Sequence, residues 1–374
     1  MTLRPFAMER WQSVHENRVA HNLSESGVHA LTLGELLALA DASVDDPRLG
    51  YGQSNGSDGL RAAIARLYPG ADESGVVVCN GSAEANYAAL WQLVEPGDTV
   101  AVVVPTYMQT PGLAHGFRAR VVEIPAHEEL GWQPDPDEVR RLLTGRVRLL
   151  VVTNPGNPTG TRLDAAARAA LLEGAERTGA WILADEVYAG AELDGRPTPT
   201  FFGQHPRVVA TGSLSKAYGL AGLRLGWAVT APELAGQLWA RTDYTTIAPG
   251  TLSDRLATLA LGDAVRPRLL ERTRGLIGEG LAVAEPVLER WGCRWQRPEA
   301  GAICFARYPW DIDSGPLAQR LLAECSVLVV SGEHFALGRY IRLGIGLPAA
   351  ALRDALAAMD ALVDGLPHAT PAAP

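Results

Sequence analysis

The sequence shows no export signal, no membrane span and no footprint for nucleic acid. No uncharged apolar run approaches the length of a bilayer crossing, and residues 1–10 lack the apolar stretch of a signal peptide. The 33 basic residues are outnumbered by 42 acidic ones and form no run, which argues against binding to a phosphate backbone. We therefore expect a cytoplasmic protein whose partner is a small molecule, not a membrane or a nucleic acid.

Cysteine is also scarce. The four cysteines, Cys79, Cys293, Cys304 and Cys325, lie far apart, without a CxxC pair or a histidine at metal-ligand spacing. Such spacing indicates neither a disulfide framework nor a zinc site. The pattern is typical of a reduced compartment, and we expect no metal.

What the sequence does have is length and a regular alternation of patterns. Its 374 residues, 47% of them hydrophobic, suffice for a large core. From about residue 75 to residue 226, short β-branched runs alternate with amphipathic stretches rich in Ala, Leu and Arg, which indicates βαβ units. Because these runs are mostly apolar throughout, we predict an α/β fold with one mainly parallel, seven-stranded sheet between helices. The predicted strands are Val76–Cys79, Thr99–Val104, Val121–Ile124, Leu149–Thr153, Trp181–Ala184, Val208–Thr211 and Leu225–Thr230.

The pattern changes after about residue 241, which suggests a second, smaller α+β unit. Leu252–Leu261 and Arg266–Arg290 have helical periodicity, and alternation returns near residues 301–307 and 340–346. We expect an N-terminal segment at 1–45 that belongs to the small domain and covers the site as a lid. A large domain at 46–250, a small domain at 251–366 and a disordered tail at 367–374 complete the expected organisation.

The strongest local signal is the run S-L-S-K-A-Y-G-L-A-G-L-R-L-G, which begins at Ser213 directly after a predicted strand. Small residues around Lys216 leave room for a flat ligand, and the hydroxyls of Ser213 and Ser215 suit phosphate oxygens. Arg224 adds a planar cationic fork for the same group. A lysine amine is a nucleophile only when it is neutral, and burial beside positive charge favours that form.

Three further motifs end predicted strands, and each has an ordinary reading as a turn or cap. Asp185 follows a buried strand where ligands bind in open α/β sheets, but an acidic residue there is also a common helix cap. Asn157 lies in N-P-G-N-P-T-G, which by itself is a stiff turn. Ser82 and Ala83 come just before a predicted helix, Ala85–Leu93, and the free amides at a helix N-terminus suit an anion.

Together these motifs, in this order, resemble the fold-type-I, class I and II aminotransferases, whose cofactor is pyridoxal 5'-phosphate. The resemblance extends over nearly the whole chain. It implies that Lys216 holds the cofactor as a Schiff base and that Arg224 binds its phosphate. It also assigns the phosphate to the amides of Ser82 and Ala83.

The resemblance implies roles around the cofactor ring as well. Asp185 would keep the pyridine nitrogen protonated, so that the ring can take electrons from the substrate Cα. Tyr188 and Asn157 would hydrogen-bond the ring oxygen, and Tyr107 would stack on the ring face. Arg342, in an alternating strand, would clamp the substrate α-carboxylate in its bidentate fork.

Tyr51 begins the run Y-G-Q-S-N-G-S-D-G-L-R, which matches a family motif. In the family this tyrosine reaches the phosphate of the neighbouring subunit. The resemblance therefore implies a homodimer with shared active sites.

The N-terminal segment departs from ordinary aminotransferases and is similar to a branch of hydroxyarginine cyclases, those of capreomycidine and streptolidine formation. The similarity rests on Glu9-Arg-Trp and on the run S-G-V-H that contains Gly27 and His29. In that branch a β-hydroxylated arginine loses water and closes a ring. On this hypothesis Glu9 holds the guanidinium group, and His29 protonates the departing hydroxyl. Gly27 belongs to the same substrate-binding stretch.

Two other functions remain open at this level. A conventional transaminase would use the same residues and pass the amino group to a 2-oxo acid. A regulator that senses the cofactor would need a DNA-binding module, and no helix-turn-helix or basic patch precedes Tyr51.

Overall fold

The computed structural model describes residues 3–43 and 48–369. Strands in this part of the chain are β1 His21–Asn22, β2 Val76–Cys79, β3 Thr99–Val104, β4 Arg120–His127, β5 Gln133–Pro134, β6 Leu149–Thr153, β7 Trp181–Asp185, β8 Val208–Ser213, β9 Gly226–Val229, β10 Arg294–Trp295, β11 Ile303–Arg307, β12 Val327–Leu328, β13 Val330–Ser331 and β14 Tyr340–Gly344. The helices are α1 Ala7–His15, α2 Leu33–Ala40, α3 Asp58–Ala65, α4 Ser82–Leu93, α5 Gln109–Gly116, α6 Pro136–Leu142, α7 Ala165–Thr178, α8 Pro232–Thr242, α9 Thr251–Ala260, α10 Arg266–Arg290, α11 Ser314–Cys325 and α12 Ala349–Asp364.

One large sheet forms the centre of the fold. Within the described residues its strand order is β2-β9-β8-β7-β6-β3-β4-β5. The strands from β8 to β4 run parallel, whereas β9 is antiparallel to both of its neighbours. The seven predicted strands are confirmed to within a few residues, and the two-residue edge strand β5 is an addition to them.

Side-chain burial explains why the central strands read as continuous apolar runs. Along β6, Leu150 and Val152 contribute to one hydrophobic core, and Leu149 and Val151 contribute to the other. Successive side chains of a strand point to opposite faces, and here both faces are covered. The parallel order also brings the carboxyl ends of β6, β7 and β8 to one edge, where ligands bind in open α/β sheets.

A smaller sheet of order β10-β11-β14-β13 follows the large one, and the N-terminal segment joins this part of the chain. Strand β1 pairs in parallel with β12, so residues near 21 lie beside residues near 327. The predicted boundary between residues 45 and 46 falls outside the described residues. Pro367 and Ala369 form backbone hydrogen bonds with Asp311 and Pro309, so the predicted disordered tail is wrong for these residues. No helix in the described ranges is long and apolar enough to cross a membrane.

Candidate active site

A cavity of about 400 Å³ opens at the carboxyl ends of the parallel strands. Its walls come from α1, from the first turn of α4, and from the segments that follow β3, β6, β7 and β8. The structure brings most of the predicted site residues together here. They are Glu9, Ser82, Ala83, Tyr107, Asn157, Asp185, Tyr188, Ser215, Lys216, Arg224 and Arg342.

Lys216 is the only lysine in the 374-residue chain. It lies in the cavity beyond the end of β8, and its Nζ atom is 3.8 Å from the nearer carboxylate oxygen of Glu25. Because the chain has one lysine, Lys216 is the only side-chain amine that could act as a nucleophile in this cavity. Glu25 was not among the residues predicted from the sequence.

Asp185 is a buried carboxylate with a defined set of donors. Asn86 Nδ2 donates to it at 2.9 Å, and the amide of Val187 donates at 3.2 Å. Thr211 Oγ1 in turn donates to Asn86 Oδ1 at 2.8 Å, which fixes the amide group of Asn86. Burial raises the pKa of Asp185, and the hydrogen bond from Asn86 opposes that rise. The site therefore holds a carboxylate that a cation in the cavity would stabilise further.

The first turn of α4 and Arg224 form a cradle for an anion. The helix begins without a side-chain cap, and the amides of Ser82 and Ala83 have no backbone partner within the described residues. A Cβ atom on Gly81 would lie 2.7 Å from Nη2 of Arg224, and one on Gly226 would clash with the amide of Ser82. Only glycine at these positions leaves the space open, and the helix dipole adds positive potential there.

Arg342 lies on strand β14 of the small sheet and is almost fully buried. Its Nη1 donates to Asn157 Oδ1 at 2.9 Å, and its Nη2 donates to the carbonyl of Ser24 at 2.6 Å. Its Nε is buried without a hydrogen-bond partner in the described chain, as is the hydroxyl of Tyr188. Buried polar atoms are rarely unpaired, so these two groups indicate that a polar ligand belongs in the cavity.

A row of acidic residues lines the side of the cavity formed by the N-terminal segment. Glu9 accepts a hydrogen bond from the Tyr107 hydroxyl at 2.7 Å. Glu16 and Glu25 line the same cavity. Burial, followed by the negative charges of Glu25 and Glu9, raises the pKa of Glu16. This acidic face, defined by Glu9, Glu16 and Glu25, suits a cationic group on a ligand.

Four predicted residues do not line the cavity: Ser213, Tyr51, Gly27 and His29. Ser213 is buried, accepts the amide hydrogen of Ser215 at 3.2 Å and lines a separate cavity with Glu186. Tyr51 is 89% exposed. Gly27 does approach Lys216, since a Cβ atom there would lie 3.4 Å from the lysine Cδ and 3.1 Å from the carbonyl of Ser215.

His29 is the main correction to the predicted site. It lines a neighbouring cavity of about 260 Å³ and is not among the residues around Lys216. Its amide donates to the carbonyl of Gly346, and its carbonyl accepts from Arg272, so the backbone fixes it beside α10. His29 is therefore not placed to protonate a group on a substrate bound next to Lys216.

The residues in the cavity fit pyridoxal phosphate. The anion cradle suits the phosphate, the buried carboxylate of Asp185 suits a protonated ring nitrogen, and the unpaired hydroxyl of Tyr188 suits the ring oxygen. Lys216 supplies the amine, and Arg342 offers unpaired N–H groups for a carboxylate. The arrangement is able to hold an α-amino acid next to the cofactor and to move a proton at its Cα.

Known proteins share this architecture. The family model described as aminotransferase class I and II matches residues 22–359. Capreomycidine synthase of Streptomyces vinaceus is 36% identical over 363 residues, which cover 94% of this chain and 92% of the relative. Arginine–pyruvate transaminase AruH of Pseudomonas aeruginosa is 30% identical over 338 residues, which cover 85% of this chain and 84% of the relative. The solved structure of the PLP-dependent cyclase OrfR aligns with a TM-score of 0.86 at 27% identity and covers 97% of this chain and 98% of its own.

Proposed function

The chain belongs to the class I and II aminotransferases, enzymes that use pyridoxal phosphate, and on that premise we propose that it is a hydroxyarginine cyclase. The substrate would be a β-hydroxylated arginine, and the product a capreomycidine-type cyclic amino acid for antibiotic biosynthesis. The net reaction is the loss of one water molecule without oxidation or reduction.

The acidic face is the observation that supports a guanidinium substrate. Of the two arginines that line the cavity, Arg224 belongs to the phosphate cradle and Arg342 to the α-carboxylate site. Within the described chain no third arginine lines the cavity for a distal carboxylate, and Glu9, Glu16 and Glu25 lie there instead. Such a face attracts a guanidinium and repels the side chain of aspartate or glutamate.

Two of the three carboxylates of the acidic face, Glu9 and Glu16, lie on α1 or directly after it. Glu9 is oriented by the Tyr107 hydroxyl, which donates to one of its oxygens and leaves the other available. Glu16 comes directly after the last residue of α1 and keeps a helical conformation, two turns beyond Glu9, so both residues line the cavity from the same side. We assign the guanidinium to Glu9 and Glu16, because a planar fork with five N–H donors can bridge two carboxylates.

The remaining residues orient the substrate and move protons. Arg342 would bind the α-carboxylate through N–H groups that Asn157 and Ser24 leave free, and Lys216 would remove the Cα proton. The cofactor supplies an electron sink for the broken Cα–H bond. A guanidine nitrogen then closes the ring by adding at Cβ, from which the hydroxyl has left as water. The proton that this nitrogen gives up replaces the one removed from Cα.

The test is product analysis with purified holoenzyme and 3-hydroxyarginine. We expect a cyclic amino acid, 18 mass units (one water) below the substrate, while the absorbance of the bound cofactor stays in its aldehyde-derived form. A 2-oxo acid together with the pyridoxamine form would refute the cyclase. Arginine, which lacks the hydroxyl, is the matched control and should give no cyclic product.

The acidic face can be tested separately. Glu9→Gln and Glu16→Gln should each raise KM for 3-hydroxyarginine about tenfold, the loss of one charge-assisted hydrogen bond. The neutral analogue 3-hydroxycitrulline should be affected much less. Glu279→Gln, at an exposed position on α10, is the control variant and should leave KM unchanged. Equal effects on the charged and the neutral substrate would contradict the assignment.

An arginine transaminase is the second candidate. The acidic face fits arginine as well as its hydroxylated form, and one of the relatives is an arginine–pyruvate transaminase. The same product analysis separates the two functions, because only a transaminase converts arginine and a 2-oxo acid acceptor into a new amino acid.

We also propose a homodimer in which Tyr51 acts in the partner's site. Its side chain is 89% exposed and outside the cavity of its own chain, as expected for a residue that reaches across an interface. Mixing the inactive variants Lys216→Ala and Tyr51→Ala should restore part of the activity, because one site of each mixed dimer is intact. A monomer in light scattering, or no restoration on mixing, would contradict this.

A further inference from the structure

Glu25 contacts the catalytic lysine and has no role in the scheme above. Its Oε2 atom lies 3.8 Å from Nζ of Lys216, and its side chain is about half exposed. Lys216 has to carry an additional proton after it removes hydrogen from the substrate Cα. A carboxylate at this distance stabilises the resulting ammonium group.

The position of Glu25 is set by the backbone. On its N-terminal side, Leu23 donates to the carbonyl of Leu328 at 2.8 Å and accepts from the amide of Gly344 at 2.7 Å. Any side chain at Gly344 would clash with the carbonyl of Glu25. On its C-terminal side, Gly27 lies directly against the backbone of Ser215 and Lys216. The segment therefore has little freedom to carry Glu25 away from Lys216.

The charges around Glu25 keep it ionised. Lys216 is the main cause of the lowered pKa of Glu25, and Arg342 and the amides of Gly27 and Ser26 contribute in the same direction. Burial opposes them. Glu25 is thus a carboxylate over the whole neutral range, and it does not take up the proton that Lys216 accepts.

A proton on Lys216 has two possible destinations, and they lead to different reactions. Delivery to the cofactor would lead, after hydrolysis, to a 2-oxo acid and the pyridoxamine form, the first half of a transamination. Delivery to the hydroxyl oxygen on Cβ lets it leave as water, while the electron pair from the Cα–H bond forms the double bond between Cα and Cβ. A departing hydroxyl oxygen is much more basic than a delocalised carbanion, so a stabilised ammonium still protonates the oxygen but protonates carbon more slowly.

We propose that Glu25 is a positioning residue that, by pairing with the Lys216 ammonium, directs the enzyme from transamination toward loss of the Cβ hydroxyl. This inference rests on the proposed cyclase function. It also supplies the proton donor that His29 does not provide, since Lys216 itself returns the Cα proton to the leaving oxygen.

The experiment compares wild type, Glu25→Gln and Glu25→Asp as holoenzymes with 3-hydroxyarginine. The first readout is the ratio of cyclic product to pyridoxamine form, which should fall about tenfold in Glu25→Gln and less in Glu25→Asp. The second readout needs no substrate and is the pH at which the visible absorbance of the holoenzyme changes form. Loss of the negative charge should lower this pH by about one unit.

Glu16→Gln is the comparison variant within the same cavity. Within the described residues Lys216 is at ion-pair distance from Glu25 but not from Glu16, whose interaction with its charge is longer-range. This change should therefore raise KM for the guanidinium substrate and alter the product ratio much less than Glu25→Gln does. If Glu25→Gln keeps the wild-type ratio while wild type forms the cyclic product, the inference is wrong and the proposed function stands. If wild type yields only a 2-oxo acid, the proposed function fails, and the directing role of Glu25 fails with it.

Discussion

Replacing Asp185 by asparagine should have opposite effects on the protein with and without its cofactor. The carboxylate is buried, with Asn86 and the amide of Val187 as its donors, and burial raises its pKa. An asparagine has the same shape and keeps one acceptor oxygen for Asn86, while its NH2 group faces the amide of Val187 and cannot accept from it. The substitution therefore removes the charge with little change in packing.

The magnitudes follow from the environment of Asp185. Without the cofactor, removal of a buried charge, partly offset by the lost hydrogen bond from Val187, should stabilise the fold by about 1 kcal/mol at pH 7. With the cofactor, the variant loses a charge-assisted hydrogen bond to the ring nitrogen, worth about 1.5–3 kcal/mol, so the cofactor should bind about 10- to 150-fold more weakly. The gain without the cofactor should shrink as pH falls, because the native carboxyl becomes protonated.

Thermal unfolding and cofactor titration measure both effects. Glu186→Gln is a matched control, since Glu186 is the adjacent buried carboxyl and lines the other cavity. It should leave cofactor affinity unchanged. The reasoning is refuted if Asp185→Asn binds the cofactor as tightly as wild type, or if it lowers the melting temperature of the cofactor-free protein.

Three further predictions concern neighbouring residues. Burial raises the pKa of Glu186 to about 7, above its ordinary value of 4.5, so the folded state binds an extra proton between these pH values and its stability falls as pH rises through them. The melting temperature of wild type should therefore fall from pH 5 to pH 8 and that of Glu186→Gln should change less; the same pH dependence in both proteins would contradict this. Tyr188→Phe removes a buried hydroxyl without a partner, so the cofactor-free protein should be as stable as wild type or more so, while cofactor affinity should fall by about tenfold in a fluorescence titration; a large loss of stability would show that the hydroxyl already has a partner. Arg342→Lys removes the fork that Asn157 and Ser24 orient, so kcat/KM should fall by at least about 100-fold for every amino acid substrate, and a variant with near-normal kcat/KM would show that another group binds the carboxylate.

Much of the cofactor-binding half of the site was predictable because its motifs directly follow strands. Asp185 ends β7, and Asn157 and Lys216 lie a few residues beyond β6 and β8, so their chain positions fixed their place at one sheet edge. Asn86 was also within reach of the sequence. It lies in the predicted helix Ala85–Leu93, and in the observed helix α4 it follows Ser82 by four residues, which puts both on the same face.

The acidic face was only partly predictable. Glu9, Gln12 and Glu16 have the spacing of a single helical face, which indicates a shared role, yet only Glu9 was identified. Nothing near Glu25 in the sequence predicts a contact with Lys216. That contact depends on the pairing of β1 with β12 and on the approach of Leu23 to β14, which join parts of the chain some 300 residues apart.

His29 and Ser213 show where a local pattern misleads. A histidine two residues after Gly27 suggested proximity to the substrate, but its backbone bonds to Gly346 and Arg272 hold it in the next cavity. Ser213 is the last residue of β8, and the chain turns before Ser215. The two side chains therefore point into different cavities. The side to which a side chain points was settled by these tertiary contacts and not by spacing.

The central claim, that Lys216 carries the cofactor, can be tested by borohydride reduction of the holoenzyme followed by peptide mass spectrometry. Because the chain contains one lysine, the account predicts a single reduced pyridoxyl group, located on Lys216. A Lys216→Ala variant should retain no cofactor after reduction and denaturation. A pyridoxyl group on the N-terminal amine alone, or a holoenzyme that releases all its cofactor after reduction, would contradict the account.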